Sequence, residues 1–152
     1  MTRFDLGDAP ALLRLLESVD WAHSLEDWQT ALAAGVVFGH RVAEQIQSST
    51  ALHKYGTELA SIGQGIVRPE ALRQGLARAL LVECLRQVPA HPAMLVATPA
   101  GQPLYASLGF QIVEQSIALS LAADWSHRPG RVDCRSMPVD DVPIAAALDA
   151  AA

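Results

Sequence analysis

Lysine is nearly missing from this chain: Lys54 stands alone against ten arginines. Cysteine is as scarce. Cys84 and Cys134 are too few for a disulfide framework. Cys84 shares an apolar helical face with Leu80, Leu81 and Val88 and reads as core. Cys134 lies in a polar, proline-bounded stretch and reads as a free thiol. No metal-ligand spacing exists, because the five histidines are dispersed and lack carboxylate or cysteine neighbours. The formal charge of −5 argues against general nucleic-acid binding. No run reaches the ~18 apolar residues of a membrane span, and no basic-plus-apolar leader opens the chain. The expectation is a cytoplasmic protein that spans no membrane. Sparse lysine beside abundant alanine points, on composition alone, to a GC-rich bacterial genome.

What is present suits one domain of ordinary size: 152 residues, of which 51% are hydrophobic. Thr2 to Leu6 is a short strand candidate. Asp8 is placed to cap a helix, with Pro10 in its first turn and Leu12, Leu13, Leu15, Leu16 and Val19 at helical spacing. Ser24 opens a second helix with Asp27 three residues on, a variant of the capping box, and Gly35 ends it. Trp21 and Trp28 flank that start and either pack or wall a pocket. Val36 to Val42, Ser49 to Tyr55 and Glu58 to Val67 read as an antiparallel meander. Gly63 and Gly65 in its last strand suggest a bulge or a close backbone approach.

The most telling stretch runs from Ile66 to Leu81. An apolar strand stops at Pro69, a charged loop and Gly75 follow, and a helix starts at Leu72 or Arg73 and runs to Val88. Such a start offers unpaired N–H groups and partial positive charge to phosphate. Arg68, Arg73, Arg78 and Arg86 gather in and after it. Each arginine is either a contact for an anionic ligand or part of a solvated face. Ala93 to Thr98 reads as a short buried strand, Leu104 to Leu108 as a helical turn or two stopped by Gly109, and Phe110 to Gln115 and Ile117 to Ala122 as strands. The order βααβββαβαββ is that of a layered α+β domain with one crossing helix.

Val67-Arg68-Pro69 followed by Leu72-Arg73-Gln74-Gly75-Leu76-Ala77 resembles motif A of the GCN5-related N-acetyltransferases, the GNAT superfamily. Leu72 departs from the family's usual Arg or Gln. A second block, Leu95 to Phe110, ends in Tyr105-Ala106-Ser107-Leu108-Gly109-Phe110 and resembles the family's motif B, Y-x-x-L-G-F. The blocks stand in family order and spacing, and the resemblance covers nearly all of residues 1–120. It implies the GNAT fold: a mixed twisted sheet of about six to seven strands flanked by about four helices. It implies acetyl-CoA as donor, with its pantetheine arm along Ile66 and Val67 and its pyrophosphate at Arg73, Gln74, Gly75, Leu76, Ala77 and Arg78. The oxyanion would meet a backbone N–H near Ile66. Tyr105 either protonates the leaving thiolate or packs beneath the cofactor. Glu44, Glu58 and a water chain are the candidates for general base.

The implied activity is direct acetyl transfer to a primary amine in a ternary complex. The alternative is a non-catalytic CoA-binding sensor or scaffold. The texture changes after Trp125. Residues 1–125 read as the acetyltransferase domain, 126–134 as a linker, and 135–152 as a tail resembling the start of a second such unit. Asp141, Pro143 and Leu148 echo Asp8, Pro10 and Leu15. An orphaned segment of this kind would seek a partner, and a homodimer through the tail is the expectation.

Overall fold

The computed structural model describes residues 1–21, 24–90, 92–116 and 138–149. The chain divides into two units, Met1–Ile112 and Val113–Ala152. In the first, β1 (Thr2–Arg3), α1 (Ala9–Glu17), α2 (Leu25–Ala34), β2 (Val36–Val42), β3 (Gln45–Tyr55), β4 (Leu59–Val67), α3 (Leu76–Gln87), β5 (Ala93–Met94) and α4 (Gln102–Ala106) follow in order. The sheet runs β1-β2-β3-β4-β5. The first four strands are antiparallel neighbours, and β5 joins β4 in parallel. A parallel neighbour needs a crossover, and α3 supplies it.

Strand alternation divides the core. Val37 and Ala51 pack in one cluster with α1 and α2 through Leu12, Leu15, Leu16, Trp28 and Ala31. Their neighbours Phe38 and Leu52 pack in another with Leu80, Leu81 and Cys84 of α3. Successive side chains take opposite faces, so one sheet serves two helical layers. Trp28, 1% exposed, belongs to the first cluster, which answers whether it packs or walls a pocket. Cys84 is buried as its spacing predicts.

Helix starts follow local chemistry. Ser24 caps α2 with the expected box: Asp27 N donates to Ser24 Oγ at 3.2 Å, and Ser24 N donates to Asp27 Oδ2 at 2.7 Å. Asp8 does not cap α1. Asp5 caps a 3-10 turn over Leu6–Asp8, and the Asp8 carboxylate instead pairs with Arg41, whose guanidinium lies over the Phe4 ring. The second Asp8 oxygen accepts from Asp5 N at 3.0 Å, so both carboxylate oxygens are engaged away from α1.

Several boundaries differ from the sequence reading. β3 begins at Gln45 rather than Ser49, because the β2–β3 hairpin carries its ladder to a tight turn. The crossing helix begins at Leu76, not Leu72 or Arg73, because Pro69–Ala71 forms a 3-10 turn and Arg73 and Gly75 take positive φ. β5 holds two residues, not six, since its ladder with β4 stops at Ser61↔Met94. Residues 110–115 form no strand. The described sheet thus has five strands rather than six or seven. The expected strand over 117–122 and linker over 126–134 lie outside the described residues. In the second unit, a 3-10 turn over Val139–Asp141 leads into α5, Val142–Asp149.

Gly39 leaves no room for a side chain against β3: a Cβ there would lie 1.8 Å from the Ser48 carbonyl oxygen. Any side chain must push the two backbones apart. Gly39→Ala is expected to cost about 3 kcal/mol, measured as a lower urea midpoint; an unchanged midpoint would show that the strands can part freely.

Candidate functional site

The site is built on a defect in β4. Ser49 faces Ile66 and Ala51 faces Gly63, so β4 carries one residue more than β3 over this interval. The bulge falls at the two glycines, as expected, and Gln64 takes φ +45°. Its effect is visible in the core. Ile62 packs with α3 while Ile66 packs with α1 and α2, although residues four apart in a regular strand share a face. The extra residue inverts the strand.

A bulge leaves its extra residue outside the ladder. Here Ser49 Oγ donates to Gln64 O at 3.0 Å and Thr50 Oγ1 donates to Gly63 O at 3.2 Å. Ser48, Ser49 and Thr50 are all buried. An unpaired buried carbonyl costs about 1–3 kcal/mol, so these hydroxyls hold the bulge open at tolerable energy. The sequence reading missed them. Three consecutive hydroxyl residues inside an apolar strand were the available signal.

Beyond the bulge, β4 loses its other neighbour. β5 pairs only with Ala60 and Ser61, so residues 63–67 have no strand on that side among the described residues. Tyr105 of α4 stands at this opening. Its hydroxyl lies 3.8 Å from where a Gly65 Cβ would be. The ring packs on Gly101, where a Cβ would come within 2.7 Å of it, and edge-on to Phe110 at 6.1 Å between centroids. The Y-x-x-L-G-F pattern has a local cause. Gly109, at φ +90°, makes the left-handed turn that ends α4, with Phe110 N donating to Tyr105 O and Gly109 N to Ala106 O. This Schellman arrangement folds Phe110 back onto Tyr105.

The β4–α3 loop has the form of a shallow cradle: Leu72 is extended, and Arg73 and Gly75 take φ +62° and +78°. Gly75 is the N-cap of α3 and no side chain caps that end. The first N–H groups of α3, at Leu76, Ala77 and Arg78, have no partner within the helix. A Cβ on Gly75 would meet nothing within 4 Å, so glycine is needed for its dihedral rather than for internal space. Leu72 is 55% exposed and supplies no core packing. Arg73 and Gln74 are exposed as well. Arg78 Nη1 donates to Ser107 Oγ at 3.0 Å, tying the first turn of α3 to the end of α4. Ser107 carries no sequence signal for this tether.

The structure therefore brings Ile66, Val67 and Tyr105 to one opening and gathers residues 73–78 at the adjoining helix start. It does not bring Glu58 there. Glu58 lies in the β3–β4 turn, about 20 Å along the strand from the bulge. Glu44 lies in the β2–β3 turn. Cys84 is no nucleophile: burial pushes its thiol up to about 11, against a weaker lowering by Thr50. Among the described residues no cluster of His, Cys, Asp or Glu could hold a metal ion, and no helix is long and apolar enough to cross a membrane.

Residues 19–118 match the acetyltransferase (GNAT) domain. The chain belongs to the GNAT family. It is 35% identical over 102 residues to an uncharacterized N-acetyltransferase, YitH, of Bacillus subtilis, and the match covers 65% of this chain and 36% of that protein. The chain thus spans about a third of the length of this curated relative. Solved GNAT structures share the fold. A GNAT family protein from Streptococcus pneumoniae aligns with a TM-score of 0.66 at 20% identity, over 81% of this chain and 97% of that one. A predicted acetyltransferase from Clostridium acetobutylicum, solved with acetyl-CoA, aligns with a TM-score of 0.60 at 18% identity, over 78% and 94%.

Burial raises the Tyr105 hydroxyl above its ordinary value of 10.0. The phenolate is the disfavoured form, so this contribution to stability is full below the unfolded pKa and is lost as pH rises through the folded one. Urea melts at about pH 9 and about pH 11 are expected to show wild type losing more stability than Tyr105→Phe over that interval. Equal losses would mean that the hydroxyl is not desolvated.

Proposed function

We propose that the protein is an N-acetyltransferase that takes its acetyl group from acetyl-CoA and delivers it directly to a primary amine in a ternary complex. The observation that carries this reading is the adjacency of an uncapped helix start, with Arg73 and Gly75 at positive φ, and a strand opening with Tyr105 over Gly65. The cradle suits a pyrophosphate: its donors are backbone N–H groups, so Leu72 in place of a polar residue removes little. Gln74, Leu76 and Ala77 complete it, and Arg73 and Arg78 add charge at its rim. The unpaired edge at Ile66 and Val67 suits the peptide-like pantetheine arm.

Acetyl-CoA, when bound, supplies the thioester. The chain contributes a backbone donor near Ile66 for the oxyanion and Tyr105 as proton donor to the departing sulfur. A raised Tyr105 pKa keeps that proton in place at neutral pH. Inert, buried Cys84 supports direct transfer over an acyl-cysteine route. A reduced, buried thiol also suits the cytoplasm.

The test combines binding and turnover. Acetyl-CoA is expected to raise the melting temperature, and thiol release should follow with at least one amine in a panel. Stabilisation without turnover on any amine would favour a CoA-binding sensor or scaffold. Gly75→Glu should abolish the stabilisation, because bulk and negative charge both meet the pyrophosphate; undiminished binding would place the phosphates elsewhere.

A second proposal concerns the tail. We infer that residues 138–149 open a second unit of the same plan. In both units a 3-10 turn runs directly into a helix with proline at its second position, Leu6–Asp8 into Ala9–Glu17 and Val139–Asp141 into Val142–Asp149. The i-to-i+3 bonds match: Asp8 N to Asp5 O, and Asp141 N to Pro138 O, both 3.0 Å. A helix as short as α5 is marginal alone, since about 12–15 residues are needed even for good helix formers. Val142 and Ile144 are 47% and 62% exposed, and they seek cover from a second copy. Light scattering should give a dimer that Val142→Asp with Ile144→Asp converts to monomer. A wild-type monomer whose residues 132–152 resist proteolysis would overturn this.

A further inference from the structure

An open groove of about 500 Å³ lies between α1 and the β2–β3 hairpin, lined by Ala11, Arg14, Glu44, Gln45, Ile46 and Arg68 among others, with Arg14, Glu44 and Gln45 exposed. It shares no lining residue with the strand opening or the cradle. Ile46, in its wall, packs with α1 and α2, whereas Tyr105 packs with the α3 cluster. Ile66 of the strand opening lies in the same cluster as Ile46, so the groove is set apart by its lining residues and not by the face of the sheet.

The charges in this groove are of both signs. Arg68 is fixed by the backbone: its Nε donates to Ile46 O at 2.8 Å and its Nη2 to Arg14 O at 3.4 Å. That grip bridges β3 and α1 and leaves the other guanidinium nitrogen free to donate. Arg14 enters from the last turn of α1, and Glu44 from the hairpin turn. Neither forms an ion pair among the described residues. A purely anionic ligand would face Glu44, and a purely cationic one would face two arginines. A small zwitterion satisfies all three groups, with its carboxylate between the guanidinium groups and its ammonium at Glu44.

We propose that this groove is a binding site for a free α-amino acid, separate from the acetyl-transfer site. It also adjoins the cradle in sequence. Arg68 directly precedes the Pro69–Ala71 turn that leads to Arg73 and Gly75, so a ligand held by Arg68 restrains the segment from which the cradle is built. The proposal does not depend on the acetyl-CoA reading, because the binding is that of the protein alone.

Calorimetry on the full chain without acetyl-CoA, using the common L-amino acids as probes, tests it. At least one should bind, and its decarboxylated amine and its N-acetyl form should each bind at least about tenfold more weakly, a difference of about 1.4 kcal/mol. Arg14→Ala and Glu44→Gln should each weaken binding by a similar factor, while Gly75→Glu leaves it unchanged. Both side chains are exposed and form no ion pair among the described residues, so the variants remain folded. Absence of binding by every amino acid, equal binding of the amine, or unaltered binding in Arg14→Ala would each overturn the proposal. Loss of binding in Gly75→Glu would move the ligand to the cradle and overturn it equally.

Discussion

The hydroxyl-to-carbonyl bonds from Ser49 and Thr50 to Gln64 and Gly63 are the interactions on which the rest of this structure depends. A strand that gains a residue leaves it outside the ladder, and a partly buried carbonyl without a partner is costly. Two hydroxyl groups on the neighbouring strand answer it. With the bulge secured, β4 inverts, so Ile62 and Ile66 serve opposite layers. The same strand can then be regular against β3 at both ends and parted from β5 in the middle of the sheet. The opening is thus a property of hydrogen-bond accounting, not of loop flexibility.

Around that opening the groups arrive by independent routes. The cradle comes from the loop after β4, where Arg73 and Gly75 take left-handed dihedrals. Tyr105 comes from α4, held by Gly101 beneath and Phe110 at its edge. The Arg78–Ser107 bond joins the two. An exposed bond of this kind adds little stability, but it fixes the spacing between a helix start and a tyrosine that lie almost thirty residues apart. Geometry of this sort is what a ligand spanning both would require.

Much of this was legible beforehand. The strand read over Val36 to Val42 matches β2 to the residue. Ser24 with Asp27 located α2, and Gly63 with Gly65 located the bulge. The pair formed by motif A and Tyr105 to Phe110 indicated the family. Less legible were places where two local preferences compete. Asp8 was equally suited to cap a helix and to pair with a distant arginine, and Arg41 decided the matter. The start of α3 slipped from Leu72 to Leu76 because nothing in Leu72-Arg73-Gln74 forbids helix; the positive φ at Arg73 is imposed by the turn leading into it. β5 shortened because a strand's length depends on its partner, and β4 turns away.

The sequence alone determined the order of elements from β1 to α4, the α+β class and the family, since periodicity, caps and glycine positions act over a few residues. Only tertiary structure decided which carbonyls Ser49 and Thr50 satisfy, that Tyr105 stands over Gly65, and that Arg14, Glu44 and Arg68 share one groove. Those are distances between residues far apart in the chain. They are set by how strands register and layers pack, and no local preference encodes them.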